Sequence, residues 1–179
     1  MNKIIFFSLI FFTSFLTSET KLIILGSGTP NPDPERYGSG YAIIVNESAY
    51  IVDFGPGIVR RISAMSPSWG GKFPSMELEN INIAFLTHIH SDHSGALADL
   101  ILTPWIMGRS EPLNLYGPKG LQSMSENIIE AYIDDINYRL YGSQPANKLG
   151  YTTNVNEITE DGIIYKDNNV EVIAFKNNH

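Results

Sequence analysis

The chain has 179 residues, 43% of them apolar, and a formal net charge of −7. That is enough for one domain with a real core, and the acidic balance argues against a large nucleic-acid footprint. There is no cysteine, which excludes disulfides and thiolate ligands, so any zinc-type ion must be held by nitrogen and oxygen.

In chain order, Lys3 precedes an apolar run over residues 4–16 and then Thr17 and Ser18. The run is short for a membrane span and suits a signal peptide over residues 1–18, so no stable span is expected. The mature domain is then 19–179 and the destination secreted or periplasmic. A buried first strand or an uncleaved anchor are the other readings of the same run. Residues 22–25 predict a short buried strand, stopped by Gly26-Ser27-Gly28-Thr29-Pro30. This is not a dinucleotide fingerprint, because Asn31 stands where the third glycine belongs and prolines follow where a helix should open. Residues 41–45 and 49–53 predict a β-hairpin turning at Asn46-Glu47-Ser48. Asp53 ends its second strand, where it either caps backbone N–H groups or reaches a neighbouring loop and holds a histidine. A short helix is expected over 58–65, with Arg60 and Arg61 on its solvated face.

Residues 66–79 read as loop, and 81–86 as the strand that delivers the next motif. Residues 96–102 are good helix formers, with a break expected at Pro104. A strand over 113–116 follows. Then comes the longest expected helix, 121–140, whose core stripe is Leu121, Met124, Ile128, Tyr132, Ile133 and Ile136. Residues 144–162 look loop-like, and 170–175 form a last strand shortly before His179.

The stretch that carries chemistry is Thr87-His88-Ile89-His90-Ser91-Asp92-His93-Ser94-Gly95. It holds three of the chain's four histidines; the fourth is His179. Imidazole nitrogen and carboxylate oxygen suit zinc and its first-row neighbours. In extended backbone, residues two apart point the same way, so His88 and His90 can converge on one ion. Asp92 continues that parity, while His93 begins the turn into a helix near Gly95. Adjacent Asp92 and His93 splay from the bend, which favours a second ion. The bland alternative is a set of ordinary core histidines.

The His-x-His-x-Asp-His motif between a strand and Ser-Gly resembles the metal loop of the metallo-β-lactamase superfamily. Residues 25–30, 50–57 and 115–120 are similar to its ribonuclease Z and arylsulfatase-like branch. The resemblance implies an α/β fold, the αββα sandwich, present here in its N-terminal part. It implies that His88, His90 and His179 are ligands of one ion and Asp92 and His93 of a second, with Asp53 buttressing the loop. The ions implied are two Zn2+, with Mn2+ or Fe2+ as substitutes, and Asp92 is also the catalytic group that orients water or takes its proton. A bridging aspartate and a further histidine lie beyond the third motif in the family, so a truncated member is expected. The activity implied is hydrolysis of a small phosphodiester or sulfate ester. Transfer RNA is a poor expectation, because residues 121–165 carry Arg139 and Lys148 against seven acids, Glu126, Glu130, Asp134, Asp135, Glu157, Glu160 and Asp161. A homodimer is compatible with this reading. A non-catalytic metal-binding remnant and a secreted binding module remain as readings of other classes.

Overall fold

Alternation along the strands builds a sheet with two apolar faces. A computed structural model describes residues 19–143 and 145–177. Strands β1 (Thr20–Gly26), β2 (Gly40–Val45) and β3 (Ser48–Val52) form an antiparallel meander. Asn46 and Glu47 turn between β2 and β3 with φ of 51° and 70°, the left-handed pair that suits the twist of a two-residue hairpin. Strands β4 (Ile83–Phe85), β5 (Leu113–Pro118) and β6 (Thr153–Ile158) then add in parallel, giving the order β1-β2-β3-β4-β5-β6. The C-terminal ends of β3 to β6 therefore share one edge of the sheet.

Period-two side chains assign the faces. Ala42, Ile44, Ala49, Ile51, Ala84, Leu113 and Leu115 pack against helices α1 (Ile58–Met65), α3 (Leu97–Ile106) and α4 (Leu121–Ala131). Val45, Tyr50, Ile83 and Phe85 face the other way, against a separate hairpin of β7 (Gly162–Lys166) and β8 (Glu171–Ala174). Each fully buried aliphatic side chain contributes about 1.5–3 kcal/mol. The layers are thus helices, a large sheet and a small one. No helix among the described residues is long and apolar enough to cross a membrane. The signal peptide expected over residues 1–18 lies outside the described residues.

Four expectations need correction. The strand expected to be buried over 22–25 lies at the sheet edge, where Leu22 and Ile24 are exposed. The helix expected over 121–140 is two, α4 and α5 (Ile133–Tyr141), parted at Tyr132. Asp134 and Asp135 fall in the first turn of α5, where negative charge favours a helix start. The break leaves Tyr132 and Ile133 exposed and returns only Ile136 to the core. Within 144–162 lies β6, an edge strand. Its alternation is polar, with Asn154 and Asn156 opposite Thr153 and Val155, and so carries little apolar signal. The helix expected to break at Pro104 runs through it to Ile106.

The last departure has a specific cause. Proline has no N–H to give the carbonyl four residues back, here that of Leu100. Arg109, which is 1% exposed, fills the gap: its Nη1 donates to Leu100 O at 3.0 Å and to Ile81 O at 3.1 Å. Its Nη2 donates to Ile101 O and Gly150 O, both at 2.7 Å, and Nε also donates to Gly150 O. One buried guanidinium thereby ties the end of α3 to the approach to β4 and to the loop before β6. Burial pulls its pKa down to about 10, so it stays charged at neutral pH. Arg109→Ala, leaving several buried carbonyls without donors, is expected to cost at least about 3 kcal/mol in denaturant unfolding. On a Pro104→Ala background, where Leu100 O regains a main-chain donor, the loss should be smaller by about 1 kcal/mol.

The small hairpin is held to the sheet by Asp167. Its Oδ2 accepts from Tyr50 Oη at 2.5 Å and Tyr165 Oη at 2.8 Å, and Oδ1 from the N–H groups of Asn169 and Val170. Burial pushes its pKa up, but the Tyr50 hydroxyl and the other donors outweigh this and hold the carboxyl at about 2, below its ordinary 3.8. A depressed pKa contributes stability that is full above the ordinary value and is lost as pH falls towards the folded one. Acid unfolding followed by circular dichroism should therefore steepen between about pH 4 and pH 2, and Asp167→Asn should flatten that segment.

Candidate metal centre

The site is organised by Asp53, immediately after β3. Its φ of 60° is a left-handed conformation that a non-glycine residue adopts at some cost. β3 and β4 are parallel neighbours, and Asp53 N–H donates to Phe85 O at 2.8 Å, so its side chain faces the loop that leaves β4. Asp53 is 2% exposed and fully engaged. Oδ1 accepts from Thr87 N at 2.8 Å and Thr87 Oγ1 at 2.9 Å, while Oδ2 lies 2.7 Å from His93 Nδ1.

The loop is pinned along its backbone as well. Helix α2 (Ser91–Ser94) is a single turn with His90 at its N-cap, so Asp92 is helical and does not continue the extended parity expected for it. The bend comes four residues earlier than Gly95, and Ser94 Oγ braces it by donating back to Ile89 O and His90 O. Ser39 N–H donates to Asp92 O at 2.9 Å, and Phe54 N–H to His93 O at 2.7 Å. A Cβ on Gly55 would stand 2.0 Å from Asp92 O, so only glycine lets the two loops close.

These restraints bring four of the expected donors together. The ring of His88 lies 4.7 Å from that of His90 and 4.1 Å from that of His93, centre to centre. His93 Nε2 is 3.5 Å from Asp92 Oδ2. Asp92 is buried, and its Oδ1 has no hydrogen-bond partner. Among the described residues no group of three or more donors is already set to hold an ion. The residues nevertheless fit a cation on two counts. A buried carboxylate oxygen without a donor calls for positive charge, and the clustered imidazoles beside it are nitrogen ligands of the matching kind. His179, the remaining expected ligand, lies outside the described residues.

Hydrogen bonding also decides which ring nitrogens can serve. A carboxylate only accepts, so a neutral His93 donates from Nδ1 to Asp53 and keeps its lone pair on Nε2. Thr87 commits its single hydroxyl proton to Asp53, which leaves its oxygen to accept from His88 Nδ1 at 3.0 Å. His88 is thereby set in the same tautomer through Thr87. Nothing in the sequence marked Thr87 for this role; a hydroxyl just before the first histidine was its only trace.

A model of the metallo-beta-lactamase superfamily matches residues 33–158. The chain belongs to this superfamily. It is 32% identical over 123 residues to a ribonuclease Z of Mycobacterium bovis, covering 67% of this chain and 41% of the relative. A ribonuclease Z of Mycolicibacterium gilvum is 29% identical over 166 residues, covering 89% and 53%. The fold matches the short form of human tRNase Z with a TM-score of 0.66 at 21% identity, over 88% of this chain and 60% of that one. The chain thus spans about half the length of the curated relatives it matches. Its fold is the α/β metallo-β-lactamase fold, partial relative to the whole ribonuclease Z.

The metal-loop edge is distinct from the groove between Tyr50, Asn82, Asn114 and Tyr165, which opens where β4 and β5 begin. Nitrogen-15 NMR of the imidazoles at pH 8 tests the tautomer relay. His93 and His88 are expected protonated at Nδ1, His88 should become a tautomer mixture in Thr87→Val, and Thr87→Ser should restore it. In Asp53→Ala both rings should mix, with a loss of about 1–3 kcal/mol in stability.

Proposed function

We propose that the chain is the metal-binding portion of a di-zinc-type hydrolase acting on a small phosphodiester or sulfate ester. The observation that carries this is the convergence of His88, His90 and His93 beside the unpartnered Asp92 Oδ1. In this reading His88, His90 and His179 hold one ion, and Asp92 and His93 contribute to the second. Mn2+ or Fe2+ can replace zinc in such a nitrogen and oxygen set. Bound ions of this class supply Lewis acidity towards water and ester oxygens. Asp92 orients the attacking water or accepts its proton, and Asp53 keeps His93 in its ligating tautomer.

The ribonuclease Z relatives support ester hydrolysis at phosphorus. The acid-rich segment 121–165 favours a compact substrate over a polynucleotide, whose phosphates it would repel. Export, proposed from the apolar residues 4–16, would also separate the protein from intracellular RNA.

Purified full chain loaded with zinc and assayed by elemental analysis and with bis(p-nitrophenyl) phosphate tests this reading. Up to two ions per chain and measurable turnover are expected, with His90→Ala and Asp92→Ala each lowering turnover at least about a hundredfold. Stoichiometric zinc without turnover on phosphate or sulfate esters would favour a non-catalytic metal-binding protein. Cleavage of a transfer-RNA precursor in preference to the small ester would move the substrate to RNA.

A further inference from the structure

We infer that the groove where β4 and β5 begin binds a neutral sugar, at the edge of the sheet opposite the metal loop. Its volume is about 460 Å³, within the roughly 300–1,000 Å³ of small-molecule sites. Two layers wall it. Asn114 and Tyr116 come from β5 and Asn82 from the approach to β4, while Tyr165 and Asp167 come from the small hairpin.

Charge narrows the ligand first. Among the described residues no lysine, arginine or histidine lines the groove, so a phosphate or carboxylate would enter without a counter-charge. The acid at its wall, Asp167, already accepts from two tyrosine hydroxyls and two backbone N–H groups. It therefore does not call for a cation. What the groove offers is neutral carboxamides beside aromatic rings.

The amides are set in advance. Asn114 Oδ1 accepts from Asn154 Nδ2 at 3.1 Å, and Asn114 Nδ2 donates to Asn82 O at 3.2 Å. These bonds hold the side chain across three strands and leave it one N–H and one lone pair for a ligand. Asn80 and Asn82 stand exposed at the rim. A carboxamide both donates and accepts, which matches adjacent sugar hydroxyls. The rings decide against a flat base. Tyr165 is tilted 57° to Tyr50 and 65° to Tyr116, and Tyr116 is stacked on Phe85. The groove thus has no open slot between parallel rings, whereas the C–H face of a sugar packs on a single one.

Nitrogen-15 NMR of the full chain, titrated with maltotriose, cellobiose, lactose and N,N′-diacetylchitobiose, tests this, with adenosine as the flat competitor. At least one sugar should shift the side-chain amide signals of Asn82 and Asn114 with a dissociation constant of about 10 mM or tighter. The backbone signals of residues 87–94 should stay in place. Asn114→Ala should weaken that binding at least about fivefold. Asn82→Ala, at an exposed position where folding is not at stake, should do the same. Groove signals unmoved by every sugar at about 50 mM overturn the inference. So do shifts confined to other parts of the chain, parent-like affinity in both variants, or adenosine binding tighter than any of the sugars.

Discussion

A single buried carboxylate holds the functional end of this molecule together. Asp53 meets the backbone and hydroxyl of Thr87 and the ring of His93 at once, linking the end of β3 to the loop after β4. The chain tolerates a left-handed residue there because the flanking backbone bonds over-determine it. Those bonds run from Asp53 to Phe85, from Phe54 to His93 and from Ala96 to Phe54. The glycine at position 55 serves the same end by letting the carbonyl of Asp92 approach. Strain, close approach and a charged hydrogen bond all converge on one purpose, the placement of imidazoles.

The scaffold solves a second problem by similar means. Pro104 interrupts the hydrogen bonding of α3 without ending it, since Arg109 supplies the donor that proline lacks. Apolar packing on both faces of the sheet accounts for its stability, and two polar side chains set its details. Arg109 fixes the helix end and the loop before β6, and Asp167 fixes the β7–β8 hairpin.

Much of this was legible in the sequence, and the rest was hidden for physical reasons. The metal loop, the hairpin of β2 and β3 and the glycine-rich loop at 26–30 announce themselves by local spacing, and Asp53 by its place at a strand end. What escaped was non-local or weakly apolar. The strand Thr153–Ile158 has one inward aliphatic residue, Val155, and reads as loop until a neighbour is known. Pro104 signals a break only if no distant donor replaces its N–H. The stripe over 121–136 was continuous by period, yet acids at 134 and 135 favour a fresh helix start that period alone does not weigh. Arg109 and Asp167 find their partners across distances in sequence that no motif spans.

The relation to ribonuclease Z covers about half the length of those relatives, and the central claim concerns the loop after β4 alone: its clustered imidazoles are set to hold a cation. Zinc K-edge X-ray absorption on the zinc-loaded chain tests it most directly. The account predicts a first shell of nitrogen and oxygen at about 2.0–2.1 Å with imidazole outer-shell scattering that weakens in His88→Ala. A shell of oxygen alone, without imidazole scattering and indifferent to His88, would contradict it.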